Sequence, residues 1–313
     1  MDTTDIAPRL TKVLVLFIMV ATTLLALPRF AHTTPDSIYY TDLVDYFRGT
    51  LPRESLHTPF AFRWVVPRIA SALPGVPPHV AMALCSVLAT IASYLVAARL
   101  LANLLRSQTQ LIAAVFLLVL SFSTVNYASA VLTDAAGFLV LVSACYAMQQ
   151  HRYLLLGGIL VVGTGVREST LLMLPVLWIF LYLQPRSQWV LTATGLSAIT
   201  LLAALASRWY FADLPAYFWT PTWSRFADNM ARPVSWATVT LTLGPLLLAL
   251  AATRRSTTPL PRDLRAFIIA IALPSLLLIA FSTTAAFMSG RFCWPLYLAL
   301  VPLVAWRIEP RCA

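Results

Sequence analysis

The chain has 313 residues, 59% of them hydrophobic and only 11% charged, with a mean hydropathy of +0.79. A soluble domain carries about 25% charged residues, so this composition excludes a soluble globular protein and predicts an all-α, polytopic transmembrane bundle. The formal net charge of +10 sits in the loops between apolar segments, which favours anionic lipid headgroups over nucleic acid as the counter-charge.

Ten apolar segments follow one another: 10–28, 79–104, 110–125, 134–149, 153–165, 169–183, 188–207, 234–252, 266–283 and 292–306. They predict about ten spans in a single transmembrane domain over 1–313, with no soluble C-terminal domain. The third to sixth are short of the roughly 20 residues that a full crossing needs. Short spans occur where helix breaks line a cavity. With both termini in the cytoplasm, the cytoplasmic loops carry a net +8 and the outer loops +2, the asymmetry that sets orientation in a plasma membrane. Only Lys12 among the 22 basic residues is not Arg, which suggests a GC-rich genome such as a bacterial one.

The first outer loop, 29–78, is the longest. Thr34-Pro35-Asp36 reads as a helix start, and Tyr39, Tyr40, Leu43, Val44 and Phe47 follow at helical spacing. A second amphipathic stretch covers 59–74. Two interfacial helices, 36–48 and 59–73, are therefore predicted, with their aromatic faces toward the lipid. Asp42, Asp45, Arg48 and Arg53 read as a solvated helix face. The loop 208–233 carries Trp209, Tyr210, Tyr217, Phe218, Trp219 and Trp223, an aromatic belt. Cys85, Cys145, Cys293 and Cys312 lack metal-ligand spacing and read as packing residues. The four histidines show no ligand pairing. No metal site and no cofactor are expected, a divalent ion being left open.

Asp36, Arg63, Asp134, Arg167, Glu168 and Arg291 all flank apolar segments at the outer face. Charge near a bilayer is expensive, which makes each a candidate for function. Each also has a plainer reading. Asp36 and Asp134 serve as first-turn or capping acids; Arg167 and Glu168 neutralise each other or snorkel to the surface; Arg63 anchors a helix to lipid; Arg291 ends a span.

Four patches, in this order, resemble the GT-C superfamily of integral membrane glycosyltransferases: PDSIYYTDLVDYFRG (35–49), FRWVVPRIASALP (62–74), GTGVRESTLLMLPVL (163–177) and GRFCWPLYLALVPL (290–303). The similarity covers about residues 10–306. Many members carry two acids in the first loop and a soluble C-terminal domain; here Ser37 follows Asp36. The resemblance implies a sugar moved from a polyprenyl-phosphate donor to a glycan, lipid or protein acceptor at the outer face, with inversion. It implies Asp36 as catalytic base, with Arg63, Arg167 and Arg291 on the donor phosphate and Asp134 and Glu168 as supporting polar groups. Arg suits a phosphate leaving group because it stays charged and binds oxygens bidentately. Two other readings stand beside this one: a transporter or lipid flippase, and a non-catalytic membrane subunit of the same fold.

Overall fold

The computed structural model describes residues 7–183, 188–216, 220–253 and 259–308. Tyr217, Phe218, Trp219 and Cys312 lie outside them, as do Asp2, Asp5, Arg186, Arg254, Arg255, Glu309 and Arg311 among the charges summed over the loops, and the side chain of Arg9. The described residues form fourteen α-helices and no strand. In chain order they are α1 (Ala7–Ala26), α2 (Ser37–Phe47), α3 (Val65–Ser71), α4 (Pro78–Leu104), α5 (Gln108–Val119), α6 (Phe122–Tyr127), α7 (Asp134–Gln149) and α8 (Tyr153–Val166). There follow α9 (Met173–Leu183), α10 (Trp189–Tyr210), α11 (Trp223–Ala231), α12 (Pro233–Ala252), α13 (Arg262–Ala285) and α14 (Trp294–Trp306). Short 3-10 turns precede α9 and α14, at Glu168–Leu172 and Gly290–Cys293.

Six helical segments are long and apolar enough to cross a membrane: Lys12–Arg29, Pro78–Leu104, Gln108–Tyr127, Trp189–Tyr210, Pro233–Ala252 and Arg262–Ala285. This is consistent with a membrane protein. Four further apolar helices are shorter: Asp134–Gln149, Tyr153–Val166, Glu168–Leu183 and Gly290–Trp306. The 16 residues of α7 rise about 24 Å, against a hydrocarbon core of about 30 Å. The core gathers around α4, α7, α8, α9 and α14, where Tyr94, Phe138, Leu160, Leu177 and Leu298 are buried. Helices α1, α10 and α12 lie at its edge, with few of their residues buried, as lipid-facing helices would.

Local chemistry explains where the helices depart from the predicted segments. The segment 110–125 breaks at Leu120–Ser121, and Ser121 caps α6 by accepting from the Thr124 amide, the usual role of an N-cap Ser. The stretch 59–73 is not one helix but a 3-10 turn, Phe60–Arg63, followed by α3. Pro67 accounts for the break. In a helix interior it would clash with the Arg63 carbonyl, whereas starting at Val65 puts it in the tolerated first turn.

Arg48 is half-buried rather than free in solvent. It donates to the Leu73 and Val76 carbonyls at 2.9 and 2.8 Å, tying the end of α2 to the segment after α3. Arg53 pairs with Asp213 at 2.7 Å, and the Thr58 amide donates to the Pro215 carbonyl at 2.9 Å. The 208–216 segment is thereby strapped onto the first long loop.

The charge asymmetry makes a direct prediction about sidedness. In intact cells, an impermeant thiol reagent is expected to modify Cys placed at Ser224, in the exposed first turn of α11, and not at Ser256, which lies outside the described residues. The reverse labelling pattern would put the charged residues on the cytoplasmic side.

Candidate functional site

All six singled-out charges come together, and they sort into three ion pairs. Arg63 Nε donates to Glu168 Oε2 at 2.7 Å, Arg167 pairs with Asp134, and both terminal nitrogens of Arg291 stand 3.5 Å from Asp36 Oδ2. The pairs are neighbours of one another: the Asp134 carboxylate also feels the charges of Arg291 and Arg63. The residues lie at ends of the short helices. Asp134 opens α7, Arg167 ends α8, Glu168 opens the turn into α9, and Arg291 lies in the turn into α14. These helices stop short, and their ends hold the charges.

The backbone at 166–170 decides the pairing. Arg167 has φ −165° and ψ 141°, an extended residue that sends successive side chains to opposite sides. Arg167 therefore reaches Asp134 and Glu168 reaches Arg63, so the expectation that Arg167 and Glu168 neutralise each other does not hold. Thr170 secures this turn by donating from its hydroxyl to the Gly163 carbonyl at 2.8 Å. Gly137, one turn after Asp134, leaves room for the Arg167 stem: a Cβ there would sit 3.2 Å from Arg167 Cδ.

Asp36 occupies the N-cap position of α2 but makes no cap hydrogen bond with its side chain, and it faces Arg291 instead. Arg291 is placed by Gly290, whose amide donates to Thr238 Oγ1 at 3.1 Å. A Cβ on Gly290 would approach the Thr238 carbonyl oxygen to 2.5 Å, closer than real Cβ contacts. Gly290→Ala is expected to push the turn off α12 and carry Arg291 away from Asp36, with loss of whatever function the pair performs. Gly137→Ala should be milder, since its 3.2 Å neighbour is a side-chain methylene that can shift. Equal function in Gly290→Ala and wild type would contradict this placement.

Arg63, like Asp134, is closely enclosed, its side chain only 6% exposed. Its NH1 donates to the Tyr40 hydroxyl at 2.5 Å. Burial works against the guanidinium charge, but the Tyr40 and Glu168 oxygens outweigh it and raise its pKa further. Tyr40, predicted to face the lipid, is buried against Phe60 and Arg63. Sequence reasoning missed this second partner, because helical periodicity assigns a face without saying what the hydroxyl meets.

A cavity of ≈ 70 Å³ adjoins the cluster. Asp134, Arg167 and Arg291 line its polar part, and Trp294, Leu141 and Leu278 its apolar part. The buried Trp294 Nε1 on its wall has no hydrogen-bond partner among the described residues, and such an orphaned polar group can mark a place for a polar ligand or water. Pockets for small molecules run to roughly 300 Å³ or more, so binding one here entails widening the site. The Asp36–Arg291 contact is the longest of the three pairs and the easiest to open. Among the described residues no cluster of three His, Cys, Asp or Glu has metal-binding geometry.

No protein-family model, curated protein or solved structure matches this chain.

Proposed function

We propose that this chain is a multi-pass membrane glycosyltransferase that takes a sugar from a polyprenyl-phosphate donor at the outer face of the plasma membrane. The observation that carries the reading is the loose pairing of Asp36 with Arg291, 255 positions apart, at the rim of a charged cavity with an apolar wall. Such a cavity suits a ligand that is anionic at one end and a lipid at the other. The similarity of the four sequence patches to the GT-C superfamily supports the same reading, with ten crossings, cytoplasmic termini, and α2 and α3 lying in the interface.

The chemistry follows from an exchange of partners. With three carboxylates and three guanidiniums the cluster is neutral, so an anionic donor has to displace a carboxylate. Arg291 turns from Asp36 to the donor phosphate, and the freed Asp36 carboxylate accepts the proton of the acceptor hydroxyl. The acceptor oxygen bonds to the anomeric carbon, the bond from that carbon to the phosphate oxygen breaks, and the electron pair leaves on the polyprenyl phosphate. Arg291 stabilises that anion, with Arg167 beside it. Arg63 is already engaged by Glu168 and Tyr40, and it holds the first loop against α8 and α9. Charge-assisted hydrogen bonds contribute about 1.5–3 kcal/mol each. Arg291→Ala is accordingly expected to weaken donor binding roughly tenfold or more, read as a rise in the donor concentration for half-maximal binding. Unchanged affinity would remove Arg291 from this role.

A transporter would place ionisable groups near the middle of the spans, whereas these six stand at helix ends. A non-catalytic subunit is favoured by one observation, the mutual neutralisation of the six charges. Mass-resolved glycolipids and wall glycans from cells with and without the gene decide between them. A sugar missing from one species, with its donor accumulating, supports the transferase. Identical glycan profiles count against it.

A further inference from the structure

We propose a second anion site on a different part of the molecule, formed by Arg225 and Arg232 around Phe287, that takes the phosphate headgroup of a membrane lipid. The Arg225 guanidinium carbon stands 4.6 Å from the centroid of the Phe287 ring and that of Arg232 stands 4.3 Å from it. A ring face attracts cations but offers no hydrogen-bond acceptor. No salt bridge or side-chain hydrogen bond to protein engages either guanidinium among the described residues. Two like charges converge on one ring, then, with their N–H donors unspent.

The arrangement is held rigidly. Asn229, fully buried on α11 between the two arginines in sequence, donates from Nδ2 to the Thr283 and Ala286 carbonyls at 2.9 and 2.7 Å. It accepts from the Met288 amide at 3.0 Å, and the Thr222 amide donates to the Thr284 carbonyl at 2.9 Å. The loop bearing Phe287 is thereby stapled to α11, so binding orders little further chain.

The surroundings select a lipid rather than a free anion. Trp223 is 84% exposed, and Val234 and Trp236 are exposed on the first turn of α12 beside Arg232. A phosphate between two guanidiniums with apolar surface alongside matches an amphiphile lying at the membrane surface. This inference does not depend on the transferase reading.

The test uses the full chain in phosphatidylcholine nanodiscs, titrated with phosphatidylglycerol and read by native mass spectrometry as lipid retained per chain. Wild type is expected to retain phosphatidylglycerol. The double variant Arg225→Gln/Arg232→Gln is expected to bind it at least about tenfold more weakly, as two charge-assisted contacts are lost. Arg225→Lys/Arg232→Lys keeps the charge without the planar fork, and is expected to fall between the two. Millimolar inorganic phosphate should leave the lipid in place. Equal retention by wild type and the Gln variant would overturn the site, and so would displacement of the lipid by inorganic phosphate, which would make it a free-anion site. Melting temperatures of both variants near wild type are expected, because the residues are at the surface.

Discussion

Asp36→Asn is expected to leave folding and donor binding close to wild type while turnover falls about 10²-fold or more, the range for a lost general base. The substitution keeps size and one hydrogen-bond acceptor but removes the charge. Capping does not confuse the result, because the Asp36 side chain makes no cap bond to α2. Releasing Arg291 from its carboxylate should hold donor affinity level or raise it, so affinity and turnover part company. If Asp36 served only to neutralise Arg291, transfer by the Asn variant would continue near the wild-type rate.

A second large effect is expected on stability. Arg63→Ala strands the Glu168 carboxylate and the Tyr40 hydroxyl in a buried setting, and breaking one side of a buried pair costs about 3–5 kcal/mol. The measurement is thermal unfolding of the purified protein, with yield as a second readout. Removing Glu168 as well should return part of the loss, since the double variant no longer buries an uncompensated charge. If Arg63 were instead an anchor to lipid phosphate, its loss would cost about 1 kcal/mol or less, and Glu168→Ala would neither add to nor offset it.

Hydropathy located the ten apolar segments, because each is a run of apolar side chains that the structure builds as helix, six of them long enough to cross a membrane. The six charges were legible for the complementary reason, being rare next to such runs. Their partners were not. Arg167 and Glu168 are adjacent in sequence, and only the extended backbone at Arg167 sends one to Asp134 and the other to Arg63. That conformation depends on Thr170 reaching the Gly163 carbonyl, a tertiary detail with weak local signature. The break before α6 was readable in hindsight from Ser121 and Thr124, a cap pattern inside an apolar run. Pro67 likewise marks where α3 has to begin. Asn229 gave no signal beyond being a lone amide in a short amphipathic stretch, yet it staples α11 to the loop before Arg291. Gly137 and Gly290 are needed for close approach, which no pattern in one sequence discloses.

The most direct measurement reconstitutes the purified chain in vesicles loaded with the polyprenyl-phosphate sugars extracted from its host membranes, and resolves those lipids by mass before and after incubation with host acceptor extract. The expected result is loss of one sugar-bearing donor with matching appearance of free polyprenyl phosphate, and no such change with Asp36→Asn. A wild-type protein that folds, binds lipid and leaves every donor intact would contradict the transferase reading.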